Sequence, residues 1–233
     1  MRTLIIIPIL LFSLLLGISS YSADFAKGAD AYVNGDYATA FKEWKPLAEQ
    51  GNKSLQYNLG LMYDQGQGVL QDYKEAVYWY QLAAEQGHVK AQYNLGVSYR
   101  HGEGVLQDDK EAVYWYQLAA EQGYAKAQFN LGVSYDKGQG VLQDYKEAVY
   151  WYQLAAEQGH EGAQGNLGSM YAFGKGTIKD YIYAHMWGNI ASMNGNDKGA
   201  LLRDNFAEKM TPSQIEEAQR LARECVKKNY KGC

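Results

Sequence analysis

The sequence has few of the residues from which metal and cofactor sites are built. It holds only four histidines and two cysteines among 233 residues. Zinc sites take His or Cys ligands in closely spaced pairs, and no histidine here has such a partner. His160-Glu161 begins like an H-E-x-x-H motif, but Gln164 occupies the position of the last ligand. The sequence therefore predicts no metal site and no cofactor.

Excess positive charge is also absent. The chain has 22 basic and 26 acidic residues, a formal net charge of −4. A protein that binds nucleic acid is expected to present a basic face that neutralises phosphates. Nucleic acid is therefore not expected as a partner.

Only the first residues form a long apolar run. Residues 1–3 are a short positive start, residues 4–18 carry no charge, and residues 19–23 are mostly small. This order is typical of a secretory signal peptide, and Ser20 and Ser22 favour cleavage after Ser22. An uncleaved anchor is the alternative, although the run is shorter than the ~20 residues that span a bilayer. We predict a periplasmic or secreted protein with no stable membrane insertion after cleavage.

The two cysteines, Cys225 and Cys233, lie close together near the C-terminus. In an exported chain this placement favours a disulfide. Two free thiols are the alternative. Closing so small a loop would stabilise the fold by roughly 2–3 kcal/mol on the chain-entropy model.

What the sequence does contain is an internal repeat. Residues 66–88 return without a change as residues 138–160, and a related copy lies between them. The recurring Leu-Gly pairs keep a constant step of 36 residues; they are Leu59-Gly60, Leu95-Gly96, Leu131-Gly132 and Leu167-Gly168. A fixed period of this length is typical of a helical repeat array.

Each repeat reads as two helices. In the middle copy, Ala91, Leu95 and Tyr99 form one apolar stripe and predict a first helix over about 89–101. We expect Gly96 to mark a close helix crossing and the glycines of 101–104 to form a tight turn. Val105 and Leu106 are expected to fill the gap between the helices.

The second helix of each repeat has a predicted cap and a predicted core. Asp108 is expected to cap it together with Glu111, and Gly123 to end it. Its apolar stripe contains one tryptophan per repeat, and we expect these side chains to be core residues; they are Trp79, Trp115, Trp151 and Trp187.

The repeat pattern resembles the Sel1-like repeat family, which is related to tetratricopeptide repeats. The residues that carry the resemblance in the middle copy are Ala91, Leu95, Gly96, Tyr99, Gly102, Gly104, Val105, Asp108, Ala112, Trp115, Tyr116, Ala119, Ala120 and Gly123. The resemblance implies an all-α fold, a right-handed α/α superhelical solenoid of Sel1-like, tetratricopeptide-like helix pairs. It also implies a protein-interaction role and no particular reaction.

The array divides the chain into predicted segments. Residues 1–22 are the signal peptide, and 24–51 are an N-terminal tetratricopeptide-like cap with a shorter loop. Residues 52–195 are the array, and 196–233 are C-terminal capping helices. In the last segment, Thr211-Pro212-Ser213-Gln214 predicts a helix start with a capping box.

An enzymatic function is not expected. Some members of this repeat family, the cysteine-rich Hcp proteins, are linked to β-lactam binding or hydrolysis, but the predicted mature chain has no S-D-N motif, and Lys175-Gly176-Thr177 reads K-G-T rather than K-T-G. Its S-x-x-K sequence, Ser134 to Lys137, stands without those two motifs. The expected function is an exported adaptor for a protein or peptide. The alternative is an Hcp-like protein that binds, or weakly hydrolyses, β-lactams or peptidoglycan fragments.

A concave surface would be formed by the face of each first helix opposite the Leu95 stripe. Its candidate binding residues, called the groove set below, are Tyr57, Leu61, Lys90, Tyr93, Val97, Arg100, Phe129, Val133 and Asp136. Packing between repeats is the alternative role. In the next repeat the equivalent positions are Gly162, Gly165, Ser169 and Ala172. Because these residues are small, the groove is predicted to be wide there, with few side-chain atoms to contact a partner.

Two further rows recur with the repeat. Tyr78, Tyr114 and Tyr150 are expected on the outer face of the second helices, where they cover one another or form an interaction ridge. A row of asparagines could hold a peptide backbone or bond the neighbouring repeat; its members are Asn58, Asn94, Asn130 and Asn166.

Overall fold

The computed structural model describes residues 24–233, and every regular element within them is an α-helix. This confirms the predicted all-α class. The helices are α1 (described over residues 24–33), α2 (Tyr37–Glu49), α3 (Lys53–Gln65), α4 (Tyr73–Glu85), α5 (Val89–His101), α6 (Asp109–Glu121), α7 (Ala125–Lys137), α8 (Tyr145–Ala156), α9 (Glu161–Phe173), α10 (Tyr181–Met193), α11 (Asp197–Ala207) and α12 (Pro212–Lys227).

The predicted signal peptide and its cleavage after Ser22 lie outside the described residues. Over 24–233, no helix combines the length and the apolar character needed to cross a membrane.

The chain divides into two compact units. The first extends to Ser98 and includes Gly102–Leu106, so it holds α1–α4 and most of α5. The second consists of Tyr99–His101 and Gln107–Cys233, which include α6–α12. Each unit is built from the same alternation of first and second repeat helices.

Aspartate side chains start the second helix of each repeat. The Asp108 carboxylate accepts hydrogen bonds from the backbone N–H groups of Lys110 and Glu111, at 2.8 and 3.2 Å. These bonds satisfy donors that a helix start leaves without partners. Asp72, Asp144 and Asp180 make the same bonds in their repeats. The reciprocal capping box is complete at Thr211 and Gln214, as predicted.

The loop between the two helices of a repeat is fixed by two glycines of positive φ. In the second unit, Gly138 ends α7 at φ 67° and Gly140 follows at φ 76°. A Cβ on Gly140 would lie 2.0 Å from the carbonyl oxygen of Asp109, the first residue of α6. The loop therefore rests directly on the preceding repeat's second helix. The equivalent close contacts are Gly68 on Tyr37, Gly104 on Tyr73 and Gly176 on Tyr145.

The predicted filling of the gap by Val105 and Leu106 is half wrong. Val105 is partly buried, but Leu106 is 90% exposed. Both residues lie in the loop between α5 and α6, and this loop buries part of Val105 while Leu106 faces solvent. Leu70, Leu142 and Ile178 are exposed in the same way.

The glycines of three Leu-Gly pairs lie close to a neighbouring helix: Gly60 and Gly132 lie under a tyrosine ring, and Gly168 lies against Leu202. A Cβ on Gly132 would be 2.7 Å from the ring of Tyr152, which is fully buried on α8. Gly60 lies under Tyr80 in the same way, at 2.5 Å. The expected close approach is confirmed at these positions, and a tyrosine ring occupies the space at Gly60 and Gly132.

The tryptophans predicted as core residues are buried. Trp79, Trp115 and Trp151 are 4–8% exposed, and Trp187 is fully buried. Alanines of the same helices, including Ala119 and Ala155, are also fully buried and let the neighbouring helices approach.

Buried glutamines connect successive helices, which the sequence analysis did not anticipate. The Gln128 side chain donates to the Ala120 carbonyl at the end of α6 and accepts from the Gln158 amide after α8. Its bonds thus join the last turns of two second helices. Gln56 makes the equivalent pair of bonds in the first unit, to Ala48 and Gln86.

The C-terminal residues fold back on the second unit. Cys225 and Cys233 are joined as a disulfide, with Cα atoms 5.6 Å apart. Between them, the Tyr230 hydroxyl donates to the Asn194 side chain at the end of α10. The closed loop therefore holds the last residues against the end of a repeat helix.

Candidate interaction groove

The groove set divides between the two units. Tyr57 and Leu61 on α3, and Lys90, Tyr93 and Val97 on α5, belong to the first unit. The second unit holds Arg100, Phe129, Val133 and Asp136. Lys90 is exposed and the other eight are partly buried. Partial burial leaves part of each side chain available to a partner.

Each unit shows an aromatic side chain of the groove set stacked on a histidine. The rings of Phe129 and His160 are 4.5 Å apart between centroids, and those of Tyr57 and His88 are 4.6 Å apart. Both histidines precede a first helix. The Nδ1 atom of His160 accepts the backbone N–H of Ala163, so the histidine caps α9 while it supports Phe129. Sequence reasoning missed this role because it tested the histidines only as metal ligands.

The two histidine caps predict a contribution to the pH dependence of stability. Burial lowers the pKa of His160 and of His88 below the usual value. These histidines therefore bind a proton more readily in the unfolded chain than in the folded one. The stability that each cap gives to the folded state is complete above about pH 6.5 and is lost as the pH falls. Protonation also removes the Nδ1 acceptor and adds positive charge at a helix N-terminus.

The double variant His88→Asn, His160→Asn is expected to lose this part of the acid sensitivity. Asn52 and Asn196 already cap α3 and α11 at the equivalent positions. Thermal melts at pH 7 and pH 5 measure the free energy of unfolding of both proteins. Between these two pH values it should fall further in the wild type than in the variant, by about 1 kcal/mol for each cap. Equal decreases in the two proteins would contradict the assignment.

Arg100 of the groove set already has partners. Its guanidinium donates to the Asp109 carboxylate at 2.9 Å and to the side-chain oxygen of Gln139. Both partners belong to the second unit, and the ion pair is partly exposed. Arg100 therefore connects three successive segments, and its charge is not wholly available to a ligand.

Two of the recurring asparagines lie beside buried tyrosine hydroxyl groups. Asn94 is next to Tyr80 in the first unit, and Asn166 is next to Tyr152 in the second. Burial is the main cause that raises the pKa of both tyrosines, so both remain neutral. The contacts favour the alternative in which these asparagines bond a neighbouring repeat.

An opening in the second unit lies where the groove set ends. It is a cleft of about 390 Å³ between α7, α9 and α11. Phe129 and Leu202 contribute apolar surface, Asn166 and Asn205 contribute amides, and Lys198 contributes a positive charge. Its volume lies within the range of small-ligand pockets.

The outer tyrosine row is exposed. Tyr78, Tyr114 and Tyr150 are 53–54% exposed, and each makes an edge-to-face contact with the tryptophan that follows it. Their inner edges thus extend the tryptophan core, while their outer edges remain in solvent.

These features define a helical-repeat protein whose first helices carry a set of partly exposed apolar and charged side chains. The family model described as Sel1 repeat matches residues 54–88, 89–124, 125–160 and 162–196, which is more than half of the chain. The chain belongs to the Sel1 repeat family. Members are generally scaffolds for protein–protein interaction and are typically non-enzymatic.

Solved structures agree with this assignment. The chain is 34% identical to c5321, a protective antigen of uropathogenic Escherichia coli with an SLR fold, at a TM-score of 0.80. The match covers 95% of this chain but 49% of that one, so this chain spans about half the length of c5321. A Sel1 repeat protein from Oxalobacter formigenes is 33% identical, with 84% and 82% of the two chains covered and a TM-score of 0.74. No curated protein matches the chain.

Proposed function

We propose that this protein is an exported, non-enzymatic adaptor that binds an extended segment of a partner protein on the first-helix faces of its repeats. The carrying observation is the partial burial of the aromatic and aliphatic members of the groove set. These side chains keep part of their surface in solvent, whereas Leu95 and Leu131 on the opposite stripe of the same helices are fully buried. Aromatic residues and arginine dominate the binding energy of protein interfaces.

The proposed export is supported by the disulfide between Cys225 and Cys233, because disulfides persist mainly in oxidising compartments. The protein purified from an envelope fraction should have the intact mass of a chain cleaved after Ser22 with no free thiol. Two alkylatable cysteines in that preparation would contradict the proposal.

Site-specific photocrosslinking in the native envelope tests the adaptor function. A photoreactive amino acid at Lys90, the exposed member of the groove set, should give a discrete protein adduct. The matched control is the same amino acid at Lys146, which is exposed on a second helix. Adducts of equal yield at both positions, or none at Lys90, would count against the groove.

With the crosslinked partner purified, Tyr93→Ala is expected to weaken its binding by at least about 30-fold, the loss typical of a hot-spot residue (about 2 kcal/mol). The variant should keep the wild-type helical content. If it instead lowers the melting temperature as much as Trp115→Ala and leaves affinity unchanged, Tyr93 is a packing residue. The exposed Tyr78, Tyr114 and Tyr150 row would then be the leading surface.

The same preparation distinguishes the alternative function. Saturable binding of a β-lactam or a muropeptide, with no protein adduct at Lys90, would favour a small-molecule-binding protein over an adaptor.

A further inference from the structure

The cleft between α7, α9 and α11 exists because one repeat lacks a ring pair that other repeats have. Counting in steps of 36 residues, Gly165 stands where the repeats before it have Phe129, Tyr93 and Tyr57. Asn196 stands where His160 and His88 stack on such rings. Both members of the stacked pair are thus replaced by smaller side chains at the same place. Gly165 and Asn196 both line the cleft, so it lies beside the place where the other repeats have their ring pair.

The walls of this cleft are suited to an aromatic guest. Phe129 borders it from the preceding repeat, Gly162 and Gly165 remove side chains from its floor, and Leu201 is 64% exposed at its edge. An exposed leucine beside an open apolar cleft is a surface that loses water favourably when a ring enters.

The charged and polar lining favours an acidic neighbour for that ring. Lys198 is exposed and is the charged residue among the cleft's lining residues, which include no carboxylate. Asn205 adds an exposed side-chain amide that can donate to carbonyl or carboxylate oxygens. In a chain of net charge −4, Lys198 is a local positive charge that attracts an acidic side chain.

We infer that the cleft between α7, α9 and α11 is the anchoring subsite for an aromatic side chain of a partner peptide, with an adjacent Asp or Glu of that peptide paired to Lys198. The inference rests on the proposed adaptor function and specifies the chemistry of its partner. The aromatic ring completes the row at the position of Gly165, and the acidic residue fixes the direction of the peptide.

Selection of a random heptapeptide library on the purified full-length protein tests the inference. Enriched peptides should share an aromatic residue with an acidic residue within two positions. In a synthetic binder, replacing the aromatic residue with Ala should weaken binding by at least about tenfold, as for a hot-spot side chain. Replacing the acidic residue with Lys should weaken it by a similar factor and reduce its dependence on salt.

Three variants locate the binding site. Gly165→Phe restores the missing ring from within the chain and should abolish detectable binding of the selected peptide. Lys198→Glu should weaken binding about tenfold, and Leu201→Ser should weaken it about fivefold. The latter two change exposed side chains, so they test the subsite even if Gly165→Phe does not fold. Lys227→Glu, an exposed change near the end of α12, is the matched control and should bind normally.

The outcomes separate this inference from the proposed function. If Tyr93→Ala removes binding and the three cleft variants do not, a groove on the first helices binds partners and the anchoring subsite is wrong. Enrichment of peptides without an aromatic residue, or no enrichment, also overturns the inference. The Lys90 crosslinking experiment tests the proposed function separately, because it does not depend on peptide selection.

Discussion

Replacing Gly140 with Ala is expected to lower the free energy of unfolding by roughly 2–5 kcal/mol. Two costs add at this position. The left-handed backbone at φ 76° costs a non-glycine residue about 1–2 kcal/mol. The new Cβ would also meet the Asp109 carbonyl oxygen at 2.0 Å, and a backbone atom cannot move aside as a side chain does. Overpacking alone typically costs about 1–3 kcal/mol, and occasionally more.

Gly138→Ala is the matched control for this prediction. Gly138 has nearly the same φ, 67°, but the nearest atom to its added Cβ is the side-chain Cβ of Gln143 at 3.3 Å. It should therefore incur mainly the backbone cost of about 1–2 kcal/mol. Urea unfolding followed by circular dichroism measures both variants. Equal losses would show that the contact between the loop and α6 does not contribute.

Replacing Trp151 with Ala is expected to cost about 3–5 kcal/mol, because a large buried ring is removed and the rigid helices around it close the cavity only partly. Trp151 is 8% exposed and lies on α8 between the outer tyrosine row and the core. For a chain of this length, such a loss lowers the melting temperature by about 6–20 °C.

The neighbouring change Tyr150→Ala separates burial from ring contact. The Tyr150 and Trp151 rings touch edge to face, with centroids 5.0 Å apart, but Tyr150 is 54% exposed. Removing the Tyr150 ring should lower the free energy of unfolding by about 1 kcal/mol, which is the typical contribution of an aromatic pair contact. If Tyr150→Ala destabilised as much as Trp151→Ala, the outer row would be part of the core and a poor candidate for an interaction ridge.

The candidate site was predictable in part. The periodic stripe located Phe129 and Val133 on the first-helix face, and the glycines at 162 and 165 predicted an open groove. The sequence did not predict that His160 stacks on Phe129, or that Arg100 is held by Asp109 and Gln139. These contacts join different helices, and spacing along one helix carries no information about which side chains meet across two.

By itself, the sequence determined the helix pairs, their caps and the tryptophan core. Helix ends such as Asp108 depend on hydrogen bonds within a few residues, and the 36-residue period repeats each local solution. Only the tertiary structure decided the contacts between successive repeats: the loop glycine on the Asp109 carbonyl, the bonds of buried Gln128, and the exposure of Leu106. Each depends on how closely one repeat approaches the next, because removal from water and steric conflict are properties of assembled helices.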